Sequence, residues 1–115
     1  MIHEMKLHVR PFEMIARGTK RFELRLMDEK RQKIHLHDTI IFTRSDDPQM
    51  HLEVKVIGLH RFPDFETLYS SLPLNECGYL PEEMGSASAS DMLEYYSIEE
   101  QVKYGVLAIE VQLLT

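Results

Sequence analysis

The segment Gly18-Thr19-Lys20-Arg21-Phe22-Glu23-Leu24-Arg25 sets the expected fold and site of this chain. Its glycine can end a helix, and the residues that follow alternate between apolar and charged side chains, as in a β-strand. The two faces of that strand carry Phe22, Leu24 and Leu26 on one side and Arg21, Glu23 and Arg25 on the other. Two interpretations of the charged face stay open: it holds a polyanion or polar heterocycle, or it is a solvated face with cross-strand ion pairs.

The charge of the chain is acidic in total but unevenly distributed. A formal net charge of -6 excludes a protein that coats nucleic acid indiscriminately, because such proteins are basic overall. Lysine and arginine are nevertheless concentrated between Lys6 and Lys33, whereas much of the acid lies between Glu76 and Glu100. This distribution predicts a basic concavity on an acidic body.

Length and composition predict one domain over residues 1–115, since a chain of this size buries a core without disulfides. A hydrophobic fraction of 43% and a charged fraction of 28% are typical of a globular domain, and no apolar run has the length of a membrane span. No signal peptide is visible, and Cys77 is the single cysteine. We therefore expect a cytoplasmic protein with no membrane association and no disulfide. The sequence gives no indication of oligomeric state.

Hydrophobic periodicity predicts five strands and three or four short helices. The expected strands are 3–9, one beginning at Lys20, 39–43, 51–60 with a bulge or a barrel corner at Gly58, and 106–114. Helices are expected from Pro11 to Gly18, after Asp64, after Ser88 and from Ser97 to Gly105, and residues 75–90 are expected to form a mobile loop. The many turns favour a small mixed β-barrel with flanking helices, of the α+β class, over a parallel βαβ sheet.

The remaining chemical motifs are weak. His35 and His37 share a strand face, but a metal site needs three or four converging ligands, so we predict no metal and no cofactor. Tyrosines are more suggestive, because stacking on aromatic rings and contacts with basic side chains hold single-stranded nucleic acid. The same rings also close hydrophobic cores, and both roles remain open for Tyr69, Tyr79, Tyr95, Tyr96 and Tyr104.

Two segments together resemble the ASCH-domain family of PUA-like β-barrels. The first is Gly18-x-Lys20-x-x-Glu23-x-Arg25, followed by a strand led by Asp38, and the second is Lys103-Tyr104-Gly105-Val106-Leu107-Ala108-Ile109. The resemblance runs from the Met5–His8 strand to the last strand. It implies a small barrel with helices at its ends, a cleft beside the glycine–lysine turn, and binding of RNA or another nucleic acid.

The resemblance also implies an alternative, enzymatic function. One group of relatives is similar to N4-acetylcytidine amidohydrolases, which use a lysine and a nearby threonine of this motif and a later glutamate. Lys20 matches the lysine, but Glu23 occupies the threonine position, and a carboxylate does not replace a hydroxyl as the acyl-accepting nucleophile.

The leading hypothesis is a domain that binds RNA or a nucleotide-like ligand in a cleft formed by Lys20, Glu23 and Arg25, with Lys6, His8 and Tyr104 as further walls. The first alternative is a hydrolase of a modified nucleoside or of RNA, with Lys20 and Glu23 as its acid–base pair. The second is a protein-interaction module that uses the acidic segment 76–100.

Overall fold

The computed structural model describes residues 1–114, which form a mixed α+β fold. Its strands are β1 (Ile2–Leu7), β2 (Phe22–Leu26), β3 (Thr39–Arg44), β4 (Asp47–Phe62) and β5 (Val106–Leu114). The α-helices are α1 (Val9–Ala16), α2 (Phe65–Ser71) and α3 (Ile98–Tyr104), and short 3-10 helices cover Arg31–Lys33, Leu74–Glu76, Pro81–Ser86 and Ala89–Glu94. Within this part of the chain, every helix is too short or too polar to cross a lipid bilayer.

The strands form one curled sheet in the order β1-β3-β4-β5-β2. β1 and β3 are parallel, and the pairs β3/β4, β4/β5 and β2/β5 are antiparallel. The predicted fold class, a small mixed barrel with short flanking helices, is confirmed as a half-barrel. The predicted bulge is also present, because the register between β4 and β5 shifts between Val56 and Gly58.

Side chains bridge the two edges of this curled sheet. Arg25 of β2 donates from Nη2 to the main-chain oxygen of Lys6 on β1, at 2.9 Å. Lys30, in the turn after β2, donates from Nζ to the main-chain oxygen of Glu4, at 2.8 Å. These bonds satisfy carbonyl groups that the edge strand would otherwise leave unpaired.

Two hydrophobic clusters stabilise the fold, one on each side of β5. The first lies inside the curl of the sheet around Phe42, Leu107 and Ile109, and it receives Phe12 and Ile15 from α1. The second packs β2 against α2 and against Met92 of the 3-10 helix Ala89–Glu94. Val106 and Ala108 are as inaccessible as Leu107 and Ile109, so both faces of β5 are buried. The alternating sequence pattern predicted a single buried face.

Local capping signals in the sequence are confirmed. Gly18 follows α1 with a φ of 80°, the left-handed conformation that glycine tolerates without strain. Asp64 accepts a hydrogen bond from the Thr67 amide at 2.8 Å, and Ser97 accepts one from the Glu100 amide at 3.1 Å. Each bond satisfies an amide in the first turn of its helix.

Several boundaries differ from the sequence-based expectation; β2, for example, begins at Phe22 and not at Lys20. β1 ends at Leu7 because Val9 already belongs to α1, whose first turn contains Pro11. β4 runs from Asp47 to Phe62 and is longer than the predicted 51–60, because its pairing with β3 and β5 continues beyond the residues that alternate in sequence. Residues 75–90 contain the 3-10 helix Pro81–Ser86 instead of one continuous loop; Glu83 accepts a hydrogen bond from the Leu80 amide at 2.8 Å and stabilises its first turn.

A Gly58→Ala variant is expected to lose about 1–3 kcal/mol of unfolding free energy, the usual cost of overpacking. A Cβ atom there would lie 2.6 Å from Oε1 of Glu110, whose carboxylate is already held by Arg21 and His60. Urea denaturation measures the loss. Gly85→Ala is the matched control, because no atom lies within 4 Å of a Cβ at that position; equal effects of the two substitutions would contradict the steric explanation.

Candidate functional site

The turn between α1 and β2 positions the first site residue. After the helix, the main-chain oxygen of Met14 accepts hydrogen bonds from the amides of Thr19 and Lys20, at 3.0 and 3.1 Å, and from Thr19 Oγ1 at 3.1 Å. Gly18 permits this reversal because of its left-handed conformation. The turn fixes the main chain at Lys20 immediately before β2 begins.

Lys20, Glu23 and Arg25 converge on one buried cluster. Nζ of Lys20 lies 2.8 Å from Oε1 of Glu23, and Nε of Arg25 lies 2.6 Å from Oε2. The three side chains are only 10%, 6% and 14% exposed. The solvated-face interpretation of these three side chains is therefore excluded.

The sheet register explains why this charged face is covered. Glu23 pairs with Ile109 and Arg25 with Leu107 across the β2/β5 ladder. Residues directly opposite each other in an antiparallel pair share a face, so both charged side chains lie on the concave side of the sheet, beside the first hydrophobic cluster.

Electrostatics keep this cluster ionised. Burial by itself raises the pKa of Glu23, but the charges of Lys20 and Arg25 and their hydrogen bonds outweigh it, so the pKa lies below its ordinary value. Burial likewise opposes the charged form of Arg25, but Glu23 and then Tyr96 overcome this effect and raise the pKa of the guanidinium. The result is a buried carboxylate between two cations, with a net positive charge.

A cavity of about 340 Å³ opens above the cluster. Its charged and basic lining residues are Lys6, His8, Arg10, Lys20, Glu23 and Arg25, so cations outnumber the carboxylate. Lys6, His8 and Arg10 are exposed, whereas Lys20, Glu23 and Arg25 are largely buried. The predicted basic concavity on an acidic protein is therefore present in the structure.

Four tyrosines complete the cavity wall: Tyr69, Tyr79, Tyr95 and Tyr96. The hydroxyls of Tyr69 and Tyr79 lie 2.6 Å apart, and the Tyr79 hydroxyl donates to Asp91 at 2.8 Å. Burial is the main cause that raises the pKa of Tyr79 far above its ordinary value. Tyr96 stacks on Phe65 with ring centroids 5.9 Å apart, whereas Tyr95 is 56% exposed and is tilted against Tyr96, with ring centroids 6.5 Å apart.

The structure brings together five of the six residues predicted for the site and separates the sixth. Lys6 and His8 lie at the cavity, as Lys20, Glu23 and Arg25 do, whereas Tyr104 is not among its lining residues. Tyr104 instead packs against the second hydrophobic cluster, and Nζ of Lys103 lies 4.9 Å from its ring centroid. Its position within a family-like motif therefore did not indicate its place in the fold.

Arg10 was not predicted as a site residue, yet it lines the cavity. Arg10 lies in the first turn of α1 and forms an ion pair with Glu83 of the 3-10 helix Pro81–Ser86. Its only sequence signal was membership of the basic stretch between Lys6 and Lys33. The contact crosses more than seventy residues of chain, and no local pattern predicts it.

Cys77 lies in the cavity wall, beside Gly78, at which a Cβ atom would lie 3.5 Å from Cδ of Lys20. Burial raises the pKa of the Cys77 thiol to about 11, with Lys20 opposing the shift only in part. The reactive thiolate is thus scarce at neutral pH. We expect alkylation by iodoacetamide at pH 7.5 to be at least about tenfold slower in the folded protein than in urea; equal rates, measured by mass spectrometry, would contradict this environment.

The curled sheet and its cleft beside the glycine–lysine turn define a PUA-like domain. The ASCH domain model matches residues 5–115. The chain belongs to the ASCH domain family, which is associated with RNA binding.

Solved structures agree with this assignment. The hypothetical protein PH0355 is 33% identical, with 99% of this chain and 100% of that chain covered and a TM-score of 0.81. PF0455 from Pyrococcus furiosus is 31% identical, with coverage of 99% and 98% and a TM-score of 0.73. The ASCH protein from Zymomonas mobilis is 15% identical, with coverage of 96% and 66% and a TM-score of 0.66, and shares the fold. A search of curated proteins found no match.

Proposed function

We propose that this protein binds RNA or a nucleotide-like ligand in the cavity above Lys20, Glu23 and Arg25. The observation that carries the proposal is the convergence of two cations and one carboxylate beneath an open, tyrosine-lined cavity. The site lies in a family associated with RNA binding. A cytoplasmic location accords with a single cysteine that is buried as a free thiol.

Each part of the cavity matches a part of a nucleotide. The exposed cations Lys6 and Arg10 suit a phosphate, and α1 begins at the same rim with no acidic residue in its first turn. The ionised carboxylate of Glu23 accepts a hydrogen bond from an exocyclic amine of a base. Tyr95 offers a ring for stacking, which is worth about 1–3 kcal/mol per base.

The geometry supports binding better than hydrolysis. Both carboxylate oxygens of Glu23 already lie against cations, and its pKa is below the ordinary value, which makes it a weak general base and a poor proton donor at neutral pH. The Cys77 thiol is protonated at neutral pH, so it does not supply the missing nucleophile.

A protein-interaction role of the segment 76–100 is also less well supported. Several of its acids make contacts within the fold: Glu76 with Arg21 at 2.9 Å, Glu83 with Arg10, and Asp91 with Tyr79. These carboxylates stabilise the wall of the cavity, and they are not free for a partner.

Binding of short single-stranded RNAs at several salt concentrations tests the proposal. Lys20→Ala and Arg25→Ala are each expected to lower affinity about tenfold or more, because a hydrogen bond to a charged group contributes about 1.5–3 kcal/mol. Lys55→Ala on β4 is the control, since Lys55 does not line the cavity. Circular dichroism spectra establish that each variant is folded. Losses no larger than that of the control would refute the proposed site.

The hydrolase alternative needs a separate measurement. Wild-type protein is incubated with acylated cytidines and with labelled RNA, and the products are separated by chromatography. Binding without turnover is the expected result. Turnover that disappears in Lys20→Ala would instead assign the site to hydrolysis.

A further inference from the structure

A second cavity adjoins the one described above. It measures about 310 Å³, and its lining residues are Met14, Arg17, Thr19, Asn75, Leu80 and Pro81, together with Tyr79. Met14 and Tyr79 line both cavities. The two spaces are therefore neighbours that share part of one wall.

The same two chain segments form both cavities. In the glycine turn, Thr19 lines the second cavity and Lys20 lines the first. In the facing segment, Asn75 and Leu80 line the second cavity, Cys77 and Gly78 line the first, and Tyr79 lies at both. The cavities are thus adjacent, and each is lined by residues from both 17–20 and 75–81.

The second cavity repeats the chemistry of the first on a smaller scale. Arg17 supplies a cation, with a side chain that is 68% exposed and lies 3.1 Å from Glu13. Leu80 and Pro81 supply apolar surface, and Thr19 and Asn75 supply exposed polar groups. A cation, small polar groups and an apolar surface are what a second phosphate, sugar and base require.

We propose that these two adjacent cavities bind two consecutive nucleotides of a single-stranded RNA, one in each cavity, with Tyr79 between them. This inference rests on the proposed function and narrows its ligand from RNA or a nucleotide-like ligand to single-stranded RNA. Arg17 contacts the phosphate of the nucleotide in the second cavity, and Leu80 packs against its base. The exposed ion pair with Glu13 competes with that phosphate for Arg17.

Calorimetric titration with the four 5′-mononucleotides and the four matching 5′-phosphorylated homodinucleotides tests the inference. The preferred dinucleotide is expected to bind about tenfold or more tightly than its mononucleotide, because a second base adds stacking and a second phosphate contact. Leu80→Glu is expected to remove most of that gain, since it places a carboxylate against the second nucleotide.

Two substitutions of the Arg17–Glu13 pair should act in opposite directions. Arg17→Gln is expected to lower dinucleotide affinity about fivefold and to reduce the salt slope by about one, with mononucleotide affinity unchanged. Glu13→Gln frees Arg17 and is expected to raise dinucleotide affinity. Arg61→Gln, at an exposed position on β4, is the control for loss of one positive charge.

The results of these titrations distinguish failure of the second nucleotide site from failure of the proposed function. Equal affinities for mononucleotide and dinucleotide, with both lost in Lys20→Ala, would overturn the second subsite and leave the first intact. A dinucleotide advantage that survives both Arg17→Gln and Leu80→Glu would also overturn it. Absence of binding to either ligand would overturn both proposals.

Discussion

A Glu23→Gln variant is expected to lose about 3 kcal/mol or more of unfolding free energy, the usual cost of removing one partner from a buried charge cluster. The substitution preserves the shape of the side chain but leaves Lys20 and Arg25 as two buried cations without a compensating charge. Urea denaturation at pH 7 monitored by circular dichroism measures the loss. Glu53→Gln, at an exposed position on β4, is the control and should change stability by less than about 0.5 kcal/mol.

The pH dependence of this loss gives a second check. Because the pKa of Glu23 is lowered on folding, its stabilising contribution is present above the ordinary carboxyl pKa and is lost as the pH falls through the lowered value. The stability difference between wild type and Glu23→Gln should therefore shrink as the solution is acidified. A difference that is constant from pH 7 to pH 3 would show that charge is not its cause.

Lys20 is one of the two cations that contact Glu23, so its removal tests their coupling. Adding Lys20→Met to Glu23→Gln should restore part of the lost stability, because the double variant holds one uncompensated cation instead of two. Simple addition of the two single losses would contradict direct coupling between these side chains.

An Arg25→Met variant is expected to lose about 3 kcal/mol of unfolding free energy, because it leaves Glu23 with one cation instead of two and breaks a buried charged contact. The guanidinium also donates to the Lys6 carbonyl oxygen at 2.9 Å, so its loss separates the bridged edges of β1 and β2. Amide hydrogen exchange should increase in β1 as well as in β2. Exchange that increases in β2 alone would show that this contact does not hold the edges together.

Arg25→Lys distinguishes charge from geometry at this position. A lysine keeps the positive charge but lacks the planar guanidinium that reaches Glu23 and Lys6 together. We expect it to recover less than half of the stability lost in Arg25→Met. Arg61→Lys and Arg61→Met, on the exposed part of β4, serve as the matched pair and should both be nearly neutral; full recovery by Arg25→Lys would mean that charge alone accounts for the effect.

The candidate site was predictable in part, and its residues show why. Lys20, Glu23 and Arg25 lie within six positions of one strand and its preceding turn, so alternation placed Glu23 and Arg25 on one face. Arg10, Tyr69 and Tyr79 reach the same cavity from other elements, and this juxtaposition depends on how those elements pack. Tyr104 shows the converse, since it lies within a recognised family motif but packs against the second hydrophobic cluster and not at the cavity.

The sequence by itself determined the local structure: the strands, the capping residues Asp64 and Ser97, the stop at Gly18 and the bulge at Gly58. These features depend on interactions among near neighbours, and their residues specify them directly. Only the tertiary structure decided that the charged face of β2 is covered. Alternation divides a strand into two faces, but which face is buried depends on residues more than seventy positions away that close over it.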